Sequence, residues 1–181
     1  MEIRPLRLQG TFEILLDPRR DERGYFMRCY DEAFFSKKGL VTDWKQENQS
    51  LSKMRGTIRG LHFQVPPHSE TKLVRVAIGE VLDILVDLRR SSPTYGQWDA
   101  VELTDSNYKM VYVPKGFAHG FCTLADQALV QYKVDAMYAP HAESGIRWND
   151  ESLNIQWPIG EPLVSERDRA LPLFANWSSP F

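Results

Sequence analysis

Only two cysteines, Cys29 and Cys122, occur in 181 residues. So few exclude a disulfide framework and suit two buried thiols in a reducing compartment. Excess charge is lacking too: 22 Lys and Arg against 24 Asp and Glu leave a formal net charge of -2, which argues against a nucleic-acid binder. Any phosphate the chain holds must therefore be met by a local cluster of Arg and Lys. Long apolar runs are missing as well. No segment approaches the length needed to span a bilayer, and the opening MEIRPLRLQG carries charges where a signal peptide needs an apolar stretch. No membrane role and a soluble cytoplasmic protein are the expectation.

What is present reads mostly as strand. Leu73 to Ile78 and Val81 to Leu88 are rich in β-branched residues and Leu, and they flank Gly79-Glu80, which reads as a hairpin turn. Val101 to Leu103, Met110 to Val113 and Ala128 to Val134 add strands between turn signals such as Ser92-Pro93-Thr94-Tyr95-Gly96. Many short strands at close spacing predict an all-β sandwich or barrel. One helix is expected from Asp31 to Lys38, capped by Asp31, with Phe34 and Phe35 on its apolar side and Gly39 ending it. No repeat, low-complexity tract or composition break divides residues 1–181, so a single domain is expected. The segment after about Pro162 is expected to be a C-terminal tail packing back on the barrel.

Strand alternation sorts side chains by face. Lys72 shares parity with Val74, Val76 and Ile78, an interior row where a lone Lys either snorkels at the strand end or serves a function. His62 and Gln64 share one face, with Leu61 and Phe63 on the other. Tyr132 shares parity with Val130 and Val134, so its ring points inward and its hydroxyl needs a partner. Each of these residues alone is compatible with an ordinary structural role.

The stretch from Gly56 to Gly79, with His62, Gln64 and Lys72, resembles the first motif of the cupin barrels, and Pro114-Lys115-Gly116-Phe117-Ala118-His119 resembles the second. The resemblance implies a cupin, or jelly-roll, β-barrel with few short helices. Two of three usual metal ligands are replaced, by Gln64 and Lys72, so a metal-free site without cofactor is implied.

Longer matches narrow this. Arg23-Gly24-Tyr25-Phe26, Gln46-Glu47-Asn48-Gln49-Ser50, Arg59-Gly60-Leu61-His62-Phe63-Gln64, Lys72-Leu73-Val74-Arg75, Tyr132-Lys133, Trp148-Asn149-Asp150 and Ser165-Glu166-Arg167-Asp168, in this order, resemble the dTDP-4-dehydrorhamnose 3,5-epimerase family over nearly the whole chain. The resemblance implies an isomerase that inverts C3 and C5 of a nucleoside-diphosphate 4-keto-6-deoxyhexose, both carbons being acidified by the C4 carbonyl. It implies His62 as base, Asp168 as its partner, Tyr132 as acid on the opposite face, and Lys72 as stabiliser of the enolate oxygen. It also implies substrate contacts from Arg23, Phe26, Arg28, Gln46, Glu47, Asn48, Arg59, His119, Tyr138, Glu143 and Arg167, the Arg residues suiting phosphate. Family dimers exchange N-terminal strands, so a homodimer with a shared nucleotide site is implied.

Arg59 and His62 have opposite parity, so both reach one cavity only if Gly60 marks a bulge or the strand begins after it. The family usually has Glu where this chain has Arg28, which leaves a CDP-linked sugar open beside a dTDP-linked one. Epimerisation at C3 alone or C5 alone is also open. Two rivals from other classes are a metal-dependent cupin and a non-catalytic sugar-binding cupin. The first has only His62 and His119 as ligands, fewer than the three protein ligands usual at catalytic sites.

Overall fold

A computed structural model describes all 181 residues. In chain order the strands are β1 (Glu2–Pro5), β2 (Phe12–Leu15), β3 (Arg19–Asp21), β4 (Gly24–Phe26), β5 (Gln46–Ser52), β6 (Thr57–Gln64), β7 (Lys72–Ile78) and β8 (Glu80–Asp87). They continue with β9 (Trp98–Thr104), β10 (Lys109–Val113), β11 (Phe117–Thr123), β12 (Ala128–Val134), β13 (Glu143–Gly145) and β14 (Leu163–Val164). The helices are α1 (Glu32–Lys37) and the single turn α2 (Glu166–Arg169). One sheet runs β1-β2-β10-β7-β12-β5 and the other β13-β6-β11-β8-β9, with β14 added beside β6.

The two sheets enclose a core to which alternate residues point. Val74, Val76, Val111, Val113 and Val130 from the first meet Val81, Leu85, Val101, Leu103, Phe117 and Phe121 from the second. The all-β jelly-roll expectation is met. Each outer face is also covered. Leu73, Met110 and Tyr112 lie under α1 and its buried Phe35, while Leu61, Phe63, Ile84 and Val86 lie under Leu153, Ile155, Trp177 and Phe181. Strands apolar on both faces are the consequence, and near-continuous burial along β7, β8 and β11 reflects it.

Helix α1 forms as its sequence demands. Asp31 Oδ1 accepts the Phe34 amide at 3.0 Å, and Gly39 adopts φ +68 just beyond the end. The Gly79-Glu80 reading, by contrast, is corrected. β7 and β8 belong to different sheets, so the chain turns a corner there rather than forming a hairpin. Gly79 has φ +80, and a Cβ on it would lie 2.0 Å from the Gln127 carbonyl oxygen. Local composition is the same for both kinds of turn; what differs is where β10 and β12 sit, on either side of β7. Ile78, expected inside, is 46% exposed because a register shift between Leu129 and Val130 releases the end of β7 from the interior. Of the two thiols, Cys122 is buried, and burial pushes it up to about 11, whereas Cys29 is only half-buried.

The final segment is woven into the second sheet. Leu163 and Val164 pair in parallel with Thr57 and Ile58, Arg90 N donates to the Phe181 carbonyl, and Phe63 packs edge-on against Trp177 and Phe181. This return path is what carries α2 to the open end of the barrel.

Candidate active site

At the open end, between the two sheets, lies a cavity of about 510 Å³ lined by Arg59, His62, Lys72, His119, Tyr132 and Asp168 among others. A second lobe of about 290 Å³ shares His62, Lys72 and Tyr132 with it and adds Gln46, Asn48, Glu70, Tyr138 and Glu143. The titratable residues expected to act together therefore meet where the two lobes join.

Arg59 and His62 both reach this space because β6 is bulged. His62 pairs with His119 and Arg59 with Phe121, so two residues of β6, Gly60 and Leu61, oppose Gly120 alone. Gly60 has φ +134, and a Cβ there would lie 2.5 Å from Gly120 Cα. Only glycine fits this close strand approach. Of the two alternatives that parity leaves, the bulge is the one present.

Asp168 arrives from α2. Ser165 caps that turn by accepting the Asp168 amide at 3.1 Å, and the pairing of β14 with β6 sets the turn over Gly60. The carboxylate accepts from the Gly60 amide at 3.2 Å and from His62 Nε2 at 2.7 Å. Burial pushes the Asp168 carboxyl up, but the hydrogen bond and charge of His62 and the Gly60 amide outweigh it and hold it below the ordinary value. An ionised Asp168 requires the proton on Nε2, which leaves Nδ1 of His62 as the basic nitrogen.

Tyr132 and Lys72 stand on the facing sheet. Tyr132 pairs with Val74 of β7 and Asn48 of β5, and Lys72 with Val134 of β12, so both project from the first sheet whereas His62 projects from the second. Lys72 is 8% exposed and does not snorkel to solvent. Burial, then the charges of Glu70 and Glu143, push the Tyr132 phenol up against the opposing pull of Arg59. The phenol is thereby held in its protonated form.

The rim is a relay of expected residues. Tyr138 donates its hydroxyl to Glu143 at 2.6 Å, Arg167 pairs with the other Glu143 oxygen at 2.5 Å, and the Gln46 side chain accepts the Tyr138 amide at 2.8 Å. His119 is buried with its Nε2 2.8 Å from Asp83, and Arg59 Nε donates to Ser52 at 3.1 Å. No three His, Cys, Asp or Glu side chains converge as a metal-binding group.

Four expected contacts lie elsewhere in the chain. Glu47 alternates away from Gln46 and Asn48 to the outer face of β5, where it pairs with Lys133 at 2.7 Å. Arg23 and Phe26 are on the projecting β3-β4 hairpin, Arg23 bound to Asp21 and Phe26 67% exposed. Arg28 pairs with Asp31 at 3.0 Å, beside a separate hollow that includes Phe26 and Phe34.

Two site residues escaped the sequence reading. Asp83 is fully buried and shares interior parity with Val81 and Leu85, the same signal that singled out Lys72. Glu70 sits in the loop before β7, where no periodicity applies, and only the fold brings its carboxylate within 3.1 Å of Lys72.

Comparison with known proteins places this geometry in context. A family model described as dTDP-4-dehydrorhamnose 3,5-epimerase matches residues 5–176. A protein of that name from Methanothermobacter thermautotrophicus is 45% identical over 181 residues, spanning 97% of this chain and 94% of the relative. The crystal structure of dTDP-4-dehydrorhamnose 3,5-epimerase from Bacillus anthracis with TDP and PPi bound superposes with a TM-score of 0.93 and 41% identity, covering 95% of this chain and 98% of that one. The dTDP-6-deoxy-D-glucose-3,5-epimerase of Legionella pneumophila, in complex with dTDP-4-keto-L-rhamnose, gives a TM-score of 0.93 and 36% identity over 98% and 94%.

Proposed function

The chain belongs to the dTDP-4-dehydrorhamnose 3,5-epimerase family, and from that premise we propose that it inverts C3 and C5 of dTDP-4-dehydro-6-deoxyglucose. The observation that carries the reading is that a base and an acid face each other from opposite sheets. His62, oriented by Asp168, comes from β6, and Tyr132, kept protonated, comes from β12. A pyranose lying between the sheets turns one ring face to each.

In this mechanism Nδ1 of His62 removes the proton from a carbon next to the C4 carbonyl, and the electron pair moves into an enolate with charge on the C4 oxygen. Lys72 stabilises that oxygen, and Asp168 stabilises the imidazolium. Tyr132 returns a proton to the opposite face and the carbonyl re-forms. Electrons stay within the sugar, so the sequence needs no redox cofactor. Arg59, His119 and Arg167 hold the diphosphate and sugar, and Tyr138, Gln46 and Asn48 the nucleoside.

Dimerisation is part of the proposal. The β3-β4 hairpin carries Arg23 and Phe26 away from its own cavity, and Phe26 is left exposed. In a homodimer the hairpin reaches the partner's nucleotide site and completes it. The two free thiols fit a reducing, cytoplasmic compartment, and no helix is long and apolar enough to cross a membrane.

Incubating the protein with dTDP-4-dehydro-6-deoxyglucose in D2O and following the sugar by NMR tests the reading. Exchange and inversion at both C3 and C5 are expected. Exchange at a single carbon would restrict the activity to that centre, a higher kcat/KM for the CDP-linked sugar would change the nucleotide, and no exchange would leave only a binding function.

A further inference from the structure

Glu70 lies in the loop between β6 and β7, and its carboxylate reaches into the second lobe of the cavity. One oxygen is 3.1 Å from Lys72 Nζ, and the other accepts from Gln64 Nε2 at 3.2 Å. Both charged side chains are nearly sealed from water, Lys72 at 10% and Glu70 at 14% exposure. Gln64 is itself locked: its amide nitrogen also faces the carbonyls of His68 and Met137, and its oxygen accepts the Ala139 amide at 2.6 Å.

We propose that Glu70 is a positioning residue that bridges the Lys72 ammonium to the immobile Gln64 and so fixes the ammonium where the C4 oxygen of the sugar must lie. This rests on the reading of Lys72 as the cation facing that oxygen. A lysine stem has four rotatable carbons, and its ammonium is a compact point charge that a single fixed partner can aim. Without that partner a buried ammonium is left uncompensated and moves toward water.

The same carboxylate acts on the proton donor. Glu70 and Glu143 both raise the Tyr132 phenol and Arg59 opposes them, while His62, Lys72, His119, Asp168, Arg167 and Tyr138 also line its side of the cavity, and Cys29, Tyr30, Glu47, Arg75 and Lys133 line the hollow on its other side. The anion also opposes the enolate, so its retention has to be justified by geometry. Positioning dominates because a displacement of about 1 Å at a reacting centre costs about 10²-fold in rate.

The test is a double-mutant cycle of Glu70→Gln with Lys72→Ala, read as kcat and KM for deuterium exchange at C3 and C5. Glu70→Gln is expected to lower kcat about 10- to 100-fold with KM within about threefold, and to change kcat less than about twofold in the Lys72→Ala background. The alkaline limb of its kcat profile moves to lower pH, which a merely structural role would not produce. An unchanged or higher kcat, an equal penalty in both backgrounds, or an unmoved alkaline limb overturns the proposal. Should Glu70→Gln not fold, Glu70→Asp, which keeps the charge but shortens the bridge, enters the same cycle with the same expectation for kcat. No exchange by the unaltered protein overturns the epimerase reading itself, whereas exchange that Glu70→Gln leaves intact overturns only the role of Glu70.

Discussion

His62 gives one nitrogen to Asp168 and turns the other to the cavity, so removing the ring and removing its partner have different expected costs. His62→Ala deletes the proposed base and is expected to lower kcat by about 10²–10⁴-fold. Asp168→Asn leaves a base with a wrongly held ring and is expected to cost about 10²-fold, with KM little changed. Stopped-exchange NMR in D2O separates the two, and near-normal turnover in either variant removes the dyad from the mechanism. In the sequence Lys72 stands out because it breaks an apolar interior row, whereas His62 and Asp168 stand out only through the motifs that resemble the family. Asp83 breaks its row in the same way and was readable by the same rule. Glu70 was not: the ion pair it makes depends on how the loop 65–71 folds back over Gln64.

Two element-level features can be tested, the bulge in β6 that positions the site and the buried Asp87 that fastens the loop after β8. Gly60→Ala places a Cβ 2.5 Å from Gly120 Cα at a positive φ, so either strand must shift. It is expected to cost about 1–3 kcal/mol in strain alone, and more as β6 and β11 move apart. A lowered Tm together with loss of exchange activity checks this, and an unperturbed variant contradicts the bulge. Asp87 is fully buried at the end of β8 and accepts from Arg89, Ser92 and Thr94. Burial raises its carboxyl, but these bonds outweigh it and hold it below the ordinary value. A depressed folded pKa contributes stability above the unfolded value, about 4, and loses it as pH falls through the folded value. Asp87→Asn is therefore expected to lower Tm at pH 7, with the gap to the parent closing below about pH 4. A gap that stays constant down to pH 2 refutes the assignment. Within elements, the α1 cap and the strand runs followed directly from composition. The corner at Gly79 did not, because a glycine between two β-rich runs satisfies a hairpin and a change of sheet equally well.

Across the whole molecule, the first and last segments do unlike work. The C-terminal segment closes over the second sheet and delivers Asp168 to His62, a contact between residues more than a hundred positions apart. The β3-β4 hairpin projects instead, and its exposed Tyr25 and Phe26 suit a second copy of the chain. Sedimentation is expected to report a dimer, and Arg23→Ala is expected to raise KM while kcat changes little, since in the proposed dimer Arg23 holds the nucleotide of the partner's site rather than the reacting carbons. A fully active monomer contradicts the shared site.

The order and alternation of residues by themselves determined the all-β class, most of the inward rows and the capped helix, because these depend on parity and local spacing; the roles expected of His62, Tyr132 and Lys72 came instead from the resemblance of their motifs to a known family. Only tertiary structure decided which strands are neighbours, which carboxylates partner His119 and Lys72, and that Glu47 and the β3-β4 hairpin leave their own cavity. Those outcomes depend on sheet pairing between distant segments, and short-range periodicity carries no information about which distant edge a strand will meet.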